Sequence, residues 1–281
     1  MKKIFNLVGF VITLASVYFL YGKYQDLNGT INSITDSHLA TYFWMPFIYA
    51  WSAMFLALAW GNIISNLDYK LPVKSYLAIY GISQIGKYIP GNIFHYVGKQ
   101  FLGVAYGIPA KKLAKSQLYE IFLQLLSALG FAVFIGYSCL FNEHGIYAFS
   151  LMALSNFIIY LTVYFFKKKT IISLFFYMIF LCVLGGLFAV VLKIVSHFDY
   201  DAESFFYIIS AFSTAWLIGF VIPGAPAGIG VRETVLIFLL SPSGLAEHDV
   251  FTSAILFRII SVCGDFIFFF FGSFLFFLKK D

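Results

Sequence analysis

GFVIPGAPAGIGVRE at residues 219–233 and GKYIPGNIFHYVGKQ at residues 86–100 decide the fold of this chain. Each stretch places Ile-Pro-Gly within a long apolar region, at 204–241 and at 75–108. Proline lacks a backbone N–H donor and ends an incoming helix, and glycine permits the chain to reverse. The stretches therefore predict two helical hairpins, whose turn residues are Pro90, Gly91, Pro223, Gly224, Pro226, Gly228 and Gly230.

The composition places these hairpins in a membrane. Of 281 residues, 61% are hydrophobic, 21% are aromatic and only 11% are charged. A soluble domain carries about 25% charged residues, so this chain has too few charges to cover a water-facing surface. We therefore expect an all-α polytopic membrane protein that forms a single transmembrane domain, residues 1–281. A water-soluble enzyme is disfavoured by the same numbers.

Six other apolar runs are long enough to cross a bilayer, which takes roughly 20 residues. The first follows Lys2 and Lys3 but has no small-residue cleavage site, so we expect a retained span instead of a signal peptide. The three cysteines lie singly within apolar runs, which predicts packing residues and no disulfide or zinc site. The expected spans are 4–22, 40–61, 114–140, 146–166, 170–195 and 250–278.

Charges between the apolar runs sort by sign, and an excess of Lys and Arg marks the cytoplasmic side. Because these lysines lie in short loops, the net charge of +5 is not a nucleic-acid signal. The pattern predicts a multi-pass protein of the cytoplasmic (inner) membrane with both termini in the cytoplasm. It also predicts that hairpin 75–108 enters from and returns to the cytoplasm, and that hairpin 204–241 does so from outside. One set of loops contains Lys2, Lys3, Lys70, Lys74, Lys111, Lys112, Lys115, Lys167, Lys168, Lys169, Lys279 and Lys280; the other contains Asp26, Asp36, Glu143, Asp199, Asp201, Glu203, Glu247 and Asp249, with Lys23 as its only basic loop residue.

The two hairpins also indicate an internal repeat. An offset of 133 residues aligns Ile89-Pro90-Gly91 with Ile222-Pro223-Gly224, and it places Lys99 on Arg232. Span, span, hairpin, span in residues 1–140 would recur upside down in residues 146–278. The full expectation is six spans plus two re-entrant hairpins in an inverted repeat, an architecture typical of transporters with a site near the midplane. A proline kink in an ordinary span is the simpler alternative for each region.

Ionisable residues inside apolar segments are costly, and they generally face a protein interior or an aqueous cavity. Arginine suits a phosphate because its planar fork donates two hydrogen bonds at once. The same residues have structural alternatives: the acids and arginines could pair with one another, the lysines could extend to the headgroups, and the amides could cap the hairpin turns. The candidate substrate-binding residues are Lys87, Asn92, His95, Lys99, Glu120, Gln124, Arg232, Glu233, Arg258 and Asp265.

No motif supports catalysis. The sequence contains no HExxH, GxSxG or P-loop pattern, and no cluster of His, Cys and Asp with ligand spacing. We therefore expect no enzymatic activity, no cofactor and no metal.

The two hairpin motifs, together with Arg258 in the last span, resemble the lysylphosphatidylglycerol synthase transmembrane-region family. The second motif departs mildly from the usual glycine pair, since Ala225-Pro226-Ala227 stands in its place. The resemblance implies a flippase-like domain that moves lipids between leaflets. It does not imply aminoacyl transfer, because the synthetase domain that accompanies some members is not in this sequence.

Three hypotheses follow. The first is a flippase-like transporter of a phosphate-bearing lipid, either an aminoacylated phospholipid or a polyprenyl-linked glycan precursor. The second is a non-transporting scaffold for a lipid-modifying or glycosyl transferase, and the third is a membrane enzyme acting on a lipid head group. Expected partners are lipids with anionic phosphate head groups, with a second copy of the chain and such a transferase as further candidates. Nucleic acid is not an expected partner.

Overall fold

The computed structural model describes residues 39–89, 93–141, 146–164, 168–199, 201–222, 228 and 230–278. This part of the chain is helical and contains no strand. Short 3-10 turns at Ile85–Tyr88 and Ser241–Ser243 follow the second and eighth helices. The helices are α1 Leu39–Asn66, α2 Val73–Gln84, α3 Phe94–Ala105, α4 Ala110–Phe141, α5 Ile146–Tyr164, α6 Lys168–Ser196, α7 Ala202–Val221, α8 Val231–Leu240 and α9 Glu247–Phe277.

Among the described residues, five helices are long and apolar enough to cross a membrane: α1, α4, α6, α7 and α9. The chain is therefore a multi-pass membrane protein, as its composition predicts. The apolar stretch of α5, Tyr147–Leu161, is shorter, and the predicted span 4–22 lies outside the described residues. Helix α7 has 20 residues and reaches about 30 Å at ~1.5 Å per residue, enough for a full bilayer core. The sequence predicts it as a long limb of a hairpin and not as one of the six spans.

Both Pro/Gly regions are interrupted instead of forming one continuous helix. Region 75–108 comprises α2 and α3, each of 12 residues and thus about 18 Å long. Region 204–241 comprises α7 and the 10-residue α8. The turn residues Pro90, Gly91, Pro223, Gly224 and Pro226 lie outside the described residues.

A tyrosine hydrogen bond joins the two ends of each interrupted region. The Tyr69 hydroxyl donates to the Gly107 carbonyl at 2.6 Å, just before α2 and just after α3. The Tyr207 hydroxyl, near the start of α7, donates to the Leu239 carbonyl near the end of α8 at 2.7 Å. Each region thus begins and ends at the same place in the fold, which is the geometry expected of a hairpin.

Helix packing in the two halves is matched. In the predicted repeat α1 corresponds to α6, α2 and α3 correspond to α7 and α8, and α4 corresponds to α9. Helix α1 packs on α2, and its counterpart α6 packs on α7. Helix α2 packs on α9, as α7 packs on α4. Helix α3 packs on α4, as α8 packs on α9. The same holds for α1 on α4 and α6 on α9, while α1 packs directly on its counterpart α6.

Glycines allow the close approaches on which this packing depends. A Cβ at Gly61 on α1 would lie 2.7 Å from the Tyr76 ring on α2, and one at Gly185 on α6 would lie 2.9 Å from Ile209 on α7. Both contacts lie between helix pairs that correspond in the two halves, α1 with α2 and α6 with α7. Between α2 and α9, a Cβ at Gly81 would lie 2.7 Å from the Phe268 carbonyl oxygen.

Replacing Gly81 by alanine is expected to lower the free energy of unfolding by about 1–3 kcal/mol, the usual cost of overpacking. The methyl would strike backbone, which cannot rotate away. Gly136→Ala in α4 is the matched control, since nothing lies within 4 Å of its Cβ position and alanine favours a helix by up to about 1 kcal/mol. Thermal unfolding in detergent compares the two variants, and equal melting temperatures would contradict the close α2–α9 contact.

Contacts at the helix ends agree with the sorting of charges. At the lysine-rich end, Asn66 at the end of α1 donates to the Thr170 hydroxyl near the start of α6 at 3.0 Å. At the acidic end, Lys193 forms an ion pair with Asp199 at 2.8 Å. The Ser204 backbone N–H donates to the Asp201 carboxylate that caps α7, and this hydrogen bond lowers the pKa of Asp201.

The three cysteines are not packed in the interior. Cys139, Cys182 and Cys263 are free thiols with exposed side chains on α4, α6 and α9. The prediction that they are packing residues is therefore wrong, although none forms a disulfide. An apolar run on a membrane helix has a lipid-facing side as well as a core side, and hydropathy alone does not distinguish them.

Candidate functional site

A cavity of about 140 Å³ lies where the two interrupted regions meet. This volume suits a group about the size of a benzene ring. Helices α1, α4, α6 and α9 complete the walls. The polar lining residues are Tyr49, Tyr80, Gln84, Lys87, Tyr88, His95, Tyr96, Glu120, Gln124, Arg232, Glu233, Arg258 and Ser261, and the apolar ones include Phe180, Phe188, Phe212, Trp216, Phe220 and Phe257.

Lys99 on α3 and Glu120 on α4 form an ion pair. Glu120 lines the cavity, and Lys99 lies behind it. The Lys99 Nζ lies 2.6 Å from the Glu120 Oε2, and each side chain is only 1% exposed. The Tyr80 hydroxyl donates to the other carboxylate oxygen at 2.7 Å. The ammonium also lies 4.5 Å from the Tyr80 ring centroid and 4.8 Å from that of Tyr96. Lys99 therefore does not extend to the headgroups, and its charge is neutralised within the protein.

Lys87 and Asp265 form the second ion pair, which connects the 3-10 turn Ile85–Tyr88, in the middle of the first interrupted region, to α9. The Lys87 Nζ lies 2.6 Å from the Asp265 Oδ2 and 3.3 Å from the Tyr49 hydroxyl oxygen. The Tyr88 hydroxyl donates to the same carboxylate oxygen of Asp265. The other carboxylate oxygen, Oδ1, is buried and has no partner among the described residues.

Arg258 on α9 and Glu233 on α8 form the third pair. The Nη2 and Nε of Arg258 donate to the Glu233 Oε1 at 2.5 and 3.0 Å. The Glu233 Oε2 accepts from the Gly230 backbone N–H at 2.8 Å and so caps α8. Gly230 and Gly228 have φ of 84° and 75°, a region that glycine tolerates best, as predicted for turn residues. Both oxygens of Glu233 are thus engaged inside the protein.

Arg232 faces the cavity without an acidic partner in the part of the chain that the structure describes. Its Nε is buried and bonds to none of those residues, and its Cζ lies 5.8 Å from the Trp216 ring centroid. A Cβ at Gly219 would lie 2.6 Å from the Arg232 Cγ, and one at Gly228 would lie 2.7 Å from its Nε. The two glycines therefore leave room for this side chain and fix where its stem runs.

The charges around the cavity do not cancel. Four cations and three carboxylates occur in and beside it, and three pairs account for all but Arg232. Arg232 corresponds to Lys99 across the repeat, whereas the position 133 residues after Glu120 is Ser253. The acid that neutralises Lys99 thus has no counterpart for Arg232. The sequence contains only two arginines, and both line this cavity.

The structure brings nearly all the predicted site residues together. Glu120 and Gln124 share a face of α4 and both line the cavity. His95 lines it too, with its ring 3.9 Å from that of Tyr96 and with a buried Nδ1 that has no partner in the described ranges. Lys99 and Asp265 lie behind the wall, each bonded to a lining residue. Asn92 lies outside the described residues.

Sequence reasoning missed the aromatic residues that hold these charges: Tyr49, Tyr80, Tyr88 and Trp216. With 19 tyrosines and 36 phenylalanines in the chain, an aromatic residue carries little positional information. The adjacency of Tyr88 to Lys87 and to the Ile-Pro-Gly turn was the one available signal.

Within the described ranges, no group of three or more His, Cys, Asp and Glu side chains is placed to hold a metal ion. Comparison of the whole chain with protein families, with curated proteins and with solved structures found no match.

Proposed function

We propose that this protein is a flippase-like transporter that moves a phosphate-bearing lipid between membrane leaflets. Its substrate would be an aminoacylated phospholipid or a polyprenyl-linked glycan precursor, bound at the cavity through Arg232. The resemblance of both hairpin motifs to the lysylphosphatidylglycerol synthase transmembrane-region family also supports this proposal.

The observation that carries the proposal is Arg232 at the cavity, which has no carboxylate partner among the described residues and whose buried Nε has no hydrogen-bond partner there. A charged group inside an apolar domain is costly unless it meets an opposite charge or water. The other three cations meet carboxylates at 2.5–2.6 Å. An anionic ligand would supply the partner that Arg232 lacks among the described residues. This would explain why a charge is kept at that position.

We further propose that the two halves form an inverted repeat whose hairpins are re-entrant. The matched helix contacts and the tyrosine hydrogen bonds at both hairpin bases support it. The length of α7 means that the second hairpin would reach much of the way across the bilayer. In transporters of this kind, broken helices meet at the substrate site, and here both interrupted regions contribute to one cavity.

A scaffold for a lipid-modifying or glycosyl transferase is the second candidate. Three ion pairs at the cavity are the observation that favours it, because paired charges hold helices together without a substrate. A scaffold explains neither the cavity nor the unpaired Arg232.

Reconstitution into liposomes distinguishes the two functions. Fluorescently labelled lipids are placed in both leaflets, and a membrane-impermeant quencher reports the fraction that becomes accessible with time. A transporter moves at least one phosphate-bearing lipid faster than protein-free liposomes do. A panel covering aminoacylated, unmodified and polyprenyl-linked lipids with no increase in rate would contradict the proposal and favour the scaffold.

The proposed orientation, with both termini in the cytoplasm, predicts a labelling pattern. In a background without Cys139, Cys182 and Cys263, a cysteine at Asp199 should react with an impermeant thiol reagent added to intact cells. A cysteine at Lys70 should react only after the membrane is opened. Both positions are exposed, so accessibility within the protein is matched, and the opposite pattern would overturn the orientation.

A further inference from the structure

Within the proposed function, on which this inference rests, we infer that the cavity selects a lipid whose phosphate is a single phosphodiester with one negative charge. Head groups with a phosphomonoester or a diphosphate would be rejected. Of the two proposed substrate classes, only the members with a single diester phosphate would then bind at Arg232.

The charge at the cavity carries this inference. Lys87, Lys99 and Arg258 are each within 2.5–2.6 Å of a carboxylate oxygen, which leaves Arg232 as the one positive charge without a carboxylate among the described residues at the cavity. The turn segments next to Arg232 that the structure does not describe, 223–227 and 229, contain no ionisable side chain. A ligand with one negative charge therefore brings the cavity to neutrality, and a second negative charge would have no partner.

The chemistry of the guanidinium points the same way. A phosphodiester has two non-bridging oxygens, and an arginine can donate two parallel hydrogen bonds to such a pair. The Arg232 stem is confined by Gly219 and Gly228, and its Cζ lies 5.8 Å from the Trp216 ring centroid. The fork is therefore held in place before the ligand arrives, which reduces the entropy lost on binding.

Two carboxylates in the lining oppose additional negative charge. Glu120 and Glu233 both line the cavity, and each already accepts hydrogen bonds from a cation and from a tyrosine hydroxyl or a backbone N–H. An ionised carboxylate has no hydrogen to donate to a phosphate oxygen, so both repel additional negative charge at short range. Selectivity thus arises from repulsion of the wrong head group as well as attraction of the right one.

Acyl-matched lipids test the inference on the unaltered protein in the liposome assay. Phosphatidylglycerol, a monoanionic diester, should move about 10-fold or more faster than phosphatidic acid, a monoester, because a second negative charge left without a partner costs at least as much as one lost hydrogen bond to a charged group, about tenfold in binding. Faster movement of phosphatidic acid would overturn the inference and leave the proposed function standing. Equal rates for phosphatidylglycerol and phosphatidic acid would overturn it as well. If no lipid in the wider panel moves, the proposed function itself fails.

Asp265→Asn tests the same charge count by removing one negative charge beside the cavity. This change leaves an amide in place of the carboxylate that neutralises Lys87, a residue that lines the cavity. The ratio of phosphatidic acid to phosphatidylglycerol movement should rise several-fold, and the melting temperature shows whether the variant is folded. An unchanged ratio in folded protein would count against the inference. If the variant does not fold, the relative rates of phosphatidylglycerol and phosphatidic acid with the unaltered protein decide whether the inference holds.

Water-soluble competitors separate a lipid ligand from free phosphate. Glycerophosphoglycerol, the diester head group without acyl chains, should slow phosphatidylglycerol movement more than inorganic phosphate at equal concentration. Stronger competition by inorganic phosphate would overturn the diester assignment.

Discussion

Arg232→Ala is expected to reduce lipid movement by about 100-fold or more while the protein remains folded and inserted. Loss of one hydrogen bond to a charged ligand costs about 1.5–3 kcal/mol, and the guanidinium would donate two. Its removal leaves no carboxylate unpaired, because Glu233 is bound to Arg258 and to the Gly230 backbone N–H. The melting temperature should therefore match that of the unaltered protein, and Arg232→Lys should keep partial activity. Liposome transport and thermal unfolding in detergent measure the two quantities.

Arg258→Ala is the matched control, since it removes the other arginine of the same cavity. Here Glu233 loses its partner, so a lower melting temperature is expected. The Arg258 side chain is 21% exposed, and solvent moderates the loss. Neutralising the acid by Glu233→Gln should restore stability to Arg258→Ala and should not restore transport to Arg232→Ala. Transport at the normal rate by folded Arg232→Ala would remove Arg232 from the binding site.

Glu120→Gln is expected to lower the free energy of unfolding by about 3–5 kcal/mol, the range for removing one member of a buried ion pair. The amide oxygen still accepts from the Tyr80 hydroxyl, but the Lys99 ammonium, which is 1% exposed, loses its counter-charge. A change of this size should appear as a large drop in melting temperature and in the yield of inserted protein.

The double change Lys99→Met with Glu120→Gln separates charge from packing. Because it removes the uncompensated ammonium and keeps a side chain of similar length, most of the lost stability should return. Lys193→Met is the control for an exposed pair: Lys193 and Asp199 are 54% and 90% exposed, so the melting temperature should hardly change. A double variant as unstable as Glu120→Gln alone would mean that the unpaired charge is not the cause.

The site could be predicted in part from the sequence, because a charge in an apolar run is conspicuous wherever the chain folds. That reasoning selected Lys87, Glu120 and Arg232, which the structure brings to one cavity. It also selected Lys99 and Arg258 as candidate substrate-binding residues, whereas both of those cations are bonded to carboxylates. Residue type shows that a charge needs a partner and does not show which partner it has.

The sequence by itself determined the membrane class and the two interrupted regions, because hydropathy is summed over local windows and the effect of Pro-Gly on a helix is confined to one turn. It also predicted the sorting of charges between loops. Only the tertiary structure decided which charges neutralise one another. Tyr88 and Asp265 are 177 residues apart in sequence, and Lys99 and Glu120 are 21 apart. Ion pairing depends on distances of a few ångströms between side chains on different helices, and those distances are set by how the helices pack.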